Sequence, residues 1–163
     1  MKKIVLLLAI TSVSFINAQS FSGKGDQKFQ VGGNFQENAT GINASFDYGI
    51  GENMSIGVSS TYALGVKSEL DADFGNRFDL NVRFNANLGN VINVDPNFDL
   101  YPGLHLGLKN FGGHLGARYF FTDGFGIYTE LNAPFAKYDT RNLNAAEKLH
   151  NQFTFSLGAS FNL

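Results

Sequence analysis

The last thirteen residues of the chain alternate between apolar and polar side chains without interruption. Between Asn151 and Leu163, Phe, Leu or Ala occupies every second position from Phe153 onward, and small or polar residues fill the positions between them. Successive side chains of a β-strand point to opposite faces, so this pattern predicts a strand with one apolar and one polar face. The pattern recurs upstream, and turn signals such as Thr122-Asp123-Gly124 separate its copies. The sequence therefore predicts an all-β fold of eight strands joined by antiparallel hairpins.

The fourth of these strands shows the alternation most clearly. From Arg77 to Leu88, six apolar residues alternate with Arg, Asp and Asn. Six repeats are more than a strand of a small soluble sandwich needs. Pro102 falls inside the fifth strand, where a missing N–H is disfavoured, so we expect a β-bulge or a shifted register at that point.

None of the apolar faces carries a charge, whereas the polar faces carry eight. The charged residues, which we predict to form a lumen charge network, are Lys28, Asp47, Arg77, Asp79, Arg83, Asp99, Arg118 and Glu130. Periodicity alone does not decide whether these charges line a membrane barrel or cover a soluble one. Eight strands enclose an interior wide enough only for side chains, and aromatic residues cluster at the strand ends as in interfacial girdles. Both features favour a transmembrane barrel.

The N-terminal segment has the composition of an export signal. Lys2 and Lys3 precede an apolar run, 4–10, and a more polar end that closes at Ala18. The run is too short to cross a bilayer of ~30 Å as a helix. We therefore predict a cleaved signal peptide over residues 1–18, a flexible leader over 19–27 and a barrel domain over 28–163.

Charge and cysteine content exclude several function classes. The formal net charge is −2, which gives no basis for a nucleic-acid partner. The chain has no cysteine, so it has neither a disulfide framework nor a thiolate metal site. We expect no cofactor and no metal.

The lumen charges have two interpretations, a polar gate for ions or a solid plug whose charges pair because they are buried. If Phe121 pairs with Phe125, Arg118 lies opposite Tyr128 and diagonal to Glu130. The charges of the fourth strand, Arg83 among them, would find Asp47 or Asp99 across the lumen. An eight-stranded lumen is tight, so the plug is favoured.

Two histidines are candidates for a metal site, and one loop is a candidate for a catalytic site. His105 and His114 lie opposite each other if Leu108 pairs with Phe111, but no carboxylate has a spacing that would complete a metal site. We interpret them as a polar lumen pair. His150 shares a loop with Asp139 and Glu147, yet that loop has no Ser, and no spacing marks a nucleophile elbow. The sequence thus predicts no enzyme.

Taken together, the strands resemble the small eight-stranded outer-membrane barrels of the OmpA, OmpX and OmpW kind in Gram-negative bacteria. In that family the last strand is the recognition signal for the barrel-assembly machinery, which implies this role for Phe155, Leu157, Phe161 and Leu163. The terminal residue here is Leu, where the family usually has Phe. The resemblance further implies a monomer in outer-membrane lipid, with periplasmic termini and extracellular loops at 65–76 and 136–150.

The function we expect is that of an integral outer-membrane barrel with a structural or surface-interaction role and a largely plugged, polar lumen. The first alternative is a narrow, porin-like channel or a lateral transporter for small or hydrophobic solutes. Two further alternatives are a soluble periplasmic barrel that binds an apolar ligand inside and a lipid-modifying barrel enzyme.

Overall fold

The computed structural model describes residues 19–139, 141 and 143–163, so the predicted signal peptide, 1–18, lies outside the described residues. Eight strands form the body of the molecule. They are β1 (Gln27–Gln36), β2 (Ala39–Gly49), β3 (Met54–Val66), β4 (Phe78–Ala86), β5 (Phe98–Gly107), β6 (Asn110–Phe120), β7 (Phe125–Lys137) and β8 (Thr154–Asn162).

Each strand pairs antiparallel with the next, and β8 pairs with β1, so the sheet closes on itself. The predicted fold, an eight-stranded antiparallel up-and-down barrel, is confirmed. Three short helical turns lie between strands, at Ser68–Leu70, Phe74–Arg77 and Gly89–Ile92. In the described part of the chain, no helix has the length and apolar character needed to cross a membrane.

The barrel buries polar side chains and exposes apolar ones, the reverse of a soluble protein. Val82 on β4 is 53% exposed and Leu106 on β5 is 59% exposed, while the lumen-facing Arg118 is 1% exposed. Outward-facing side chains that are exposed and apolar are found on every strand. A soluble barrel with an apolar ligand inside would have the opposite arrangement, so that alternative was wrong.

Aromatic side chains gather at both ends of the barrel. We call the end where β1 begins and β8 ends the terminal rim, and the opposite end the loop rim. At the terminal rim Phe29 and Phe125 each pack against Phe161, with ring centroids 6.4 and 5.7 Å apart. At the loop rim Phe111 packs against Phe135 at 6.1 Å. Rings at these two levels form the interfacial girdles of a membrane barrel.

The segment before β1 differs from the prediction of a flexible leader. Phe21 is 1% exposed, and Ser20 donates from its backbone N–H to the Pro96 carbonyl, 2.8 Å, and from its hydroxyl to the Phe98 carbonyl, 3.0 Å. These contacts seat the segment in the mouth of the barrel at the terminal rim. Its sequence has no periodicity to reveal this, because the contacts are with residues far away in the chain.

The expected position of Arg77 was wrong, whereas the fifth strand does have a register different from the predicted one, with Phe111 opposite Leu106 rather than Leu108. Arg77 ends a helical turn and donates from Nε to the Ala72 carbonyl, 3.0 Å, so it lies before β4 rather than on its polar face. The β5–β6 register runs through Pro102 without a bulge; the β4–β5 ladder instead stops at Gly103. Pro102 therefore lies where no β4 partner needs an N–H.

Because the outer face is in contact with lipid, a positive charge introduced there should lower the free energy of unfolding by an amount that depends on its depth in the bilayer. Val82→Arg, at mid-strand between Val58 and Leu106, should destabilise the barrel in bilayers by roughly 2–4 kcal/mol, and Met54→Arg, at the terminal rim, by about 0–1 kcal/mol. Urea unfolding in lipid vesicles measures both values, with Val82→Leu as the control. Equal penalties at the two depths would contradict a lipid-facing position for Val82.

Candidate functional site: the ionic lumen

The end of the lumen near the terminal rim holds two ion pairs, which we call the terminal layer. Asp99 and Arg118 are directly opposite each other on β5 and β6. Arg118 donates from Nη2 to Asp99 Oδ2, 2.7 Å, and to Asn87 Oδ1, 2.8 Å, and both charged side chains are fully buried. The predicted neighbour of Arg118, Tyr128, does lie opposite it, but Arg118 makes its ion pair with Asp99 rather than with Glu130.

Lys28 forms the second pair of the terminal layer. Its ammonium donates to Asp26, two residues earlier, and lies 5.8 and 5.4 Å from the ring centroids of Phe21 and Phe120. The rings shield the charge from one side and supply a favourable cation–π contact. This layer therefore carries two positive and two negative groups and closes the terminal mouth.

The middle layer is organised by Arg83, which bridges two carboxylates. Its Nε lies 3.2 Å from Asp47 Oδ1, and its Nη2 donates to Glu130 Oε2 at 2.8 Å. Gly57 stands between Asp47 and Arg83 in the pairing register, and a Cβ at this position would come within 2.2 Å of Asp47 Oδ1. The glycine lets charges two strands apart approach each other. All three charged side chains are at most 3% exposed.

Tyr101 joins the terminal layer to the middle layer. Its ring is 4.7 Å from the Arg118 guanidinium carbon and 5.7 Å from that of Arg83, and it is fully buried. Gln30 donates to its hydroxyl at 3.2 Å. A Cβ on Gly116, across β5 and β6, would come within 2.1 Å of this ring, so only glycine leaves it room. Alternation in the sequence gives no sign that Tyr101 packs between two arginines.

The half of the lumen near the loop rim, the loop layer, is rich in amides. Asn43 donates to Thr61 and accepts from the Tyr128 hydroxyl, and Asn81 donates to Asp79 at 2.9 Å. Within it lies a cavity of about 30 Å³, room for one or two water-sized species. Residues that line this cavity are Asn34, Asn43, Thr61, Asp79, Asn81, His105, Asn110, Glu130, Asn132 and His150.

His105 and His114 are neighbours, but in a different β5–β6 register from the predicted one. Phe111 pairs with Leu106, not with Leu108, so the two histidines are diagonal across β5 and β6. Their rings nevertheless stack with centroids 5.9 Å apart, and they contact Asn110 and Asn85 respectively, at 3.2 and 2.7 Å. Within the described ranges, no group of three or more His, Cys, Asp or Glu side chains is placed to hold a metal ion.

His150 closes the loop rim. Its ring donates from Nε2 to the Arg77 carbonyl, 2.7 Å, and its Nδ1 faces the Gln36 amide at 3.3 Å. Its carbonyl accepts from Asn110, 3.0 Å, which ties the β7–β8 loop to the lumen wall. Burial, helped by the charge of nearby Lys109, lowers the pKa of His150 against the opposing effect of its bond to the Arg77 carbonyl. The neutral ring fits this site, because one nitrogen donates and the other accepts.

The residues weighed for an enzyme site bind other partners. Asp139 forms an exposed ion pair with Arg141 at 2.8 Å, and hydrogen bonds from Arg141 lower the pKa of Asp139 to about 2. Glu147 accepts from the backbone N–H of Asn144. His150 is occupied by Gln36 and Arg77.

The four residues of the predicted assembly signal lie along or just after β8. Phe155, Leu157 and Phe161 belong to the strand, and Leu163 follows it. Leu157 and Leu163 are 49% and 73% exposed, and Phe155 packs against Phe35 across the β1–β8 seam. They form part of the outer apolar face.

Fold and lumen together define the class of this protein as a transmembrane β-barrel with an ionic interior. The structure resembles a de novo designed transmembrane β-barrel, with a TM-score of 0.60 and 11% identity over 88% of this chain and 99% of the design. It also resembles the N-terminal β-barrel domain of OprF from Pseudomonas aeruginosa, with a TM-score of 0.57 and 14% identity over 87% of this chain and 100% of that domain. At these identities the likeness concerns the fold alone.

By sequence, residues 11–163 match the profile of DUF6646, described as a family of unknown function, and the chain belongs to that family. No curated protein sequence matches it.

The Asp99–Arg118 pair should show strong energetic coupling. Asp99→Asn leaves a buried guanidinium without its counter-charge and should destabilise the barrel by about 3–5 kcal/mol. Arg118→Met in the same chain removes that charge while keeping contact with Tyr101, so the double variant should be more stable than the sum of the two single effects predicts. Urea unfolding of the three variants measures the coupling; additive effects would show that the two groups do not form an ion pair in the folded barrel.

The hydrogen bonds by which the His150 ring closes the loop rim should weaken at acidic pH. Because the pKa of His150 is lowered in the folded state, the unfolded chain takes up a proton first, and this contribution to stability is lost as the pH falls below about 6.5. An NMR titration of the imidazole should give a midpoint below that of a free histidine. Amide hydrogen-exchange rates in residues 144–151, after correction for the intrinsic rates at each pH, should depend less on pH in His150→Gln than in the unsubstituted protein. A normal midpoint would rule out the buried neutral ring.

Proposed function

We propose that this protein is an integral outer-membrane barrel with a structural or surface-interaction role and a lumen that is closed to solutes. The observation that carries the proposal is the stack of buried ion pairs that fills the terminal and middle layers of the lumen. Arg118 with Asp99 fills the terminal layer, Arg83 with Asp47 and Glu130 fills the middle layer, and Tyr101 packs between the two guanidinium groups. An eight-stranded interior is wide enough only for such side chains.

Insertion into the outer membrane is part of the same proposal. The outer face is apolar and carries aromatic rings at both rims, as a bilayer requires. The barrel-assembly machinery would read the outward-facing apolar side chains on and just after β8, which are Phe155, Leu157, Phe161 and Leu163. The mature chain would start after Ala18. The extracellular partner surface would be the loop rim, which the loops 65–76 and 136–150 cover.

A narrow channel is the second candidate, and the cavity of the loop layer favours it. The amide-rich loop layer leaves room for small polar species. In this case the remaining barrier is the middle layer, where Arg83 and Glu130 meet across the lumen.

One series of measurements on the outer-membrane fraction and on refolded protein tests the proposal. A folded barrel should migrate differently on a gel before and after boiling, and the band should come from the outer-membrane fraction. Phe161→Ser should lower the amount of that band in cells while leaving refolding in detergent intact. Recovery of the protein as a soluble periplasmic species would overturn the proposal.

Single-channel recording in planar bilayers then separates the two candidates. A sealed lumen predicts no discrete conductance steps from the unsubstituted protein. Steps would establish the channel instead, and Glu130→Gln should then change their size, since Glu130 lines the cavity and pairs with Arg83. The matched control is Asp139→Asn, an exposed carboxylate of the loop rim, which should leave the steps unchanged.

A further inference from the structure

The charges of the lumen are distributed unevenly along its axis. The terminal layer is balanced, since Lys28 and Arg118 face Asp26 and Asp99. The middle and loop layers hold one buried guanidinium, Arg83, against three buried carboxylates. These carboxylates are Asp47, Asp79 and Glu130. When all are ionised, the buried side chains of these two layers carry an excess of two negative charges, and Lys109 lies at their outer end.

Asp79 accounts for one of these charges. It is 5% exposed, and its one hydrogen bond among the described side chains comes from Asn81 to Oδ2, while Oδ1 has no partner. Lys109, at the loop rim, is close enough for its charge to act on Asp79, but its ammonium donates to the backbone carbonyls of Asn76 and Leu149, at 2.8 and 3.4 Å, and makes no ion pair with Asp79. A buried carboxylate in this position is costly unless a cation or a proton neutralises it.

Three more side chains that line the cavity have unpartnered polar atoms. These are Oδ1 of Asn34, Oδ1 of Asn81 and Nδ1 of His105, on side chains at most 9% exposed. Native interiors satisfy such atoms through protein, water or an ion. The cavity that they share has room for one or two water-sized species, such as an ion with one water.

We propose that the loop layer is a binding site for one hard divalent cation of the calcium type. Asp79 supplies the carboxylate oxygen, and Asn34 and Asn81 supply amide oxygens; His105, whose Nε2 is engaged by Asn110, accepts from an ion-bound water. Calcium takes oxygen ligands from carboxylates, amides and waters in flexible geometry, and this set supplies three of them from the protein. Its charge of +2 cancels the excess of this half of the lumen. The site is independent of whether the barrel conducts.

Calorimetry with calcium chloride on the full-length mature barrel, refolded in a nonionic detergent free of anionic lipid, tests the site. The unsubstituted protein should bind one Ca²⁺ with a dissociation constant on the order of 10⁻⁴–10⁻³ M, the range of sites with few carboxylates. Asp79→Asn should weaken binding by about ten-fold or more, because it removes the charged ligand. Asp139→Asn, which removes an exposed carboxylate, should bind as the unsubstituted protein does.

A second measurement separates ligation from a purely structural role for Asp79. Without calcium, Asp79→Asn should unfold at the same temperature as the unsubstituted barrel or at a higher one, because it removes a buried charge that has no ion-pair partner. With calcium, the unfolding temperature should rise for the unsubstituted barrel and for Asp139→Asn, but not for Asp79→Asn. Magnesium should bind about ten-fold more weakly, since it keeps its waters and demands octahedral geometry. Absence of calcium binding, unchanged binding by Asp79→Asn, or equal binding of magnesium would each overturn the proposal.

Discussion

The hydrocarbon around this barrel offers no hydrogen-bond partner, and the rest of the structure depends on that constraint. Closure of β1 against β8 pairs the backbone edges that an open sheet would expose to lipid. The side chains then divide between an apolar outer face and a polar interior too narrow for bulk water. Charges in such an interior must find each other, which is why Arg83 draws in Asp47 and Glu130 from other strands.

Small residues determine which of the large side chains can meet. Gly57 stands in the register between Asp47 and Arg83, and Gly116 faces the ring of Tyr101. A Cβ at either position would overlap the neighbouring group, at 2.2 and 2.1 Å respectively. In the plug, each of these large side chains therefore lies against a glycine. A glycine weakens its own strand, but here it leaves the space that a charged or aromatic side chain of the lumen occupies.

The sequence predicted the fold well, because alternation and tight turns are local signals that set strand number and direction. The Phe121–Phe125 register followed from a short hairpin and placed Arg118 opposite Tyr128 correctly. What alternation cannot supply is the partner across the lumen, which depends on the stagger of all the strands together. The Asp99–Arg118 pair was missed for another reason: it depends on the β5–β6 register, in which Phe111 lies opposite Leu106 rather than Leu108. The burial of Phe21, which has no periodic context, was missed as well.

The position of Arg77 outside the lumen changes the charge balance of the interior. With Arg77 on β4, the eight predicted lumen charges would be four basic and four acidic. With Arg77 bound to the Ala72 carbonyl outside the strand, and with Asp26 beside Lys28, the terminal layer is neutral and the opposite half is acidic. The two halves therefore differ in what they can do: the first is sealed by paired charges and the Phe21 ring, whereas the second combines an unpaired Asp79 with a cavity. The calcium site proposed above would lie in the acidic half, and the neutral layer would close the lumen beyond it.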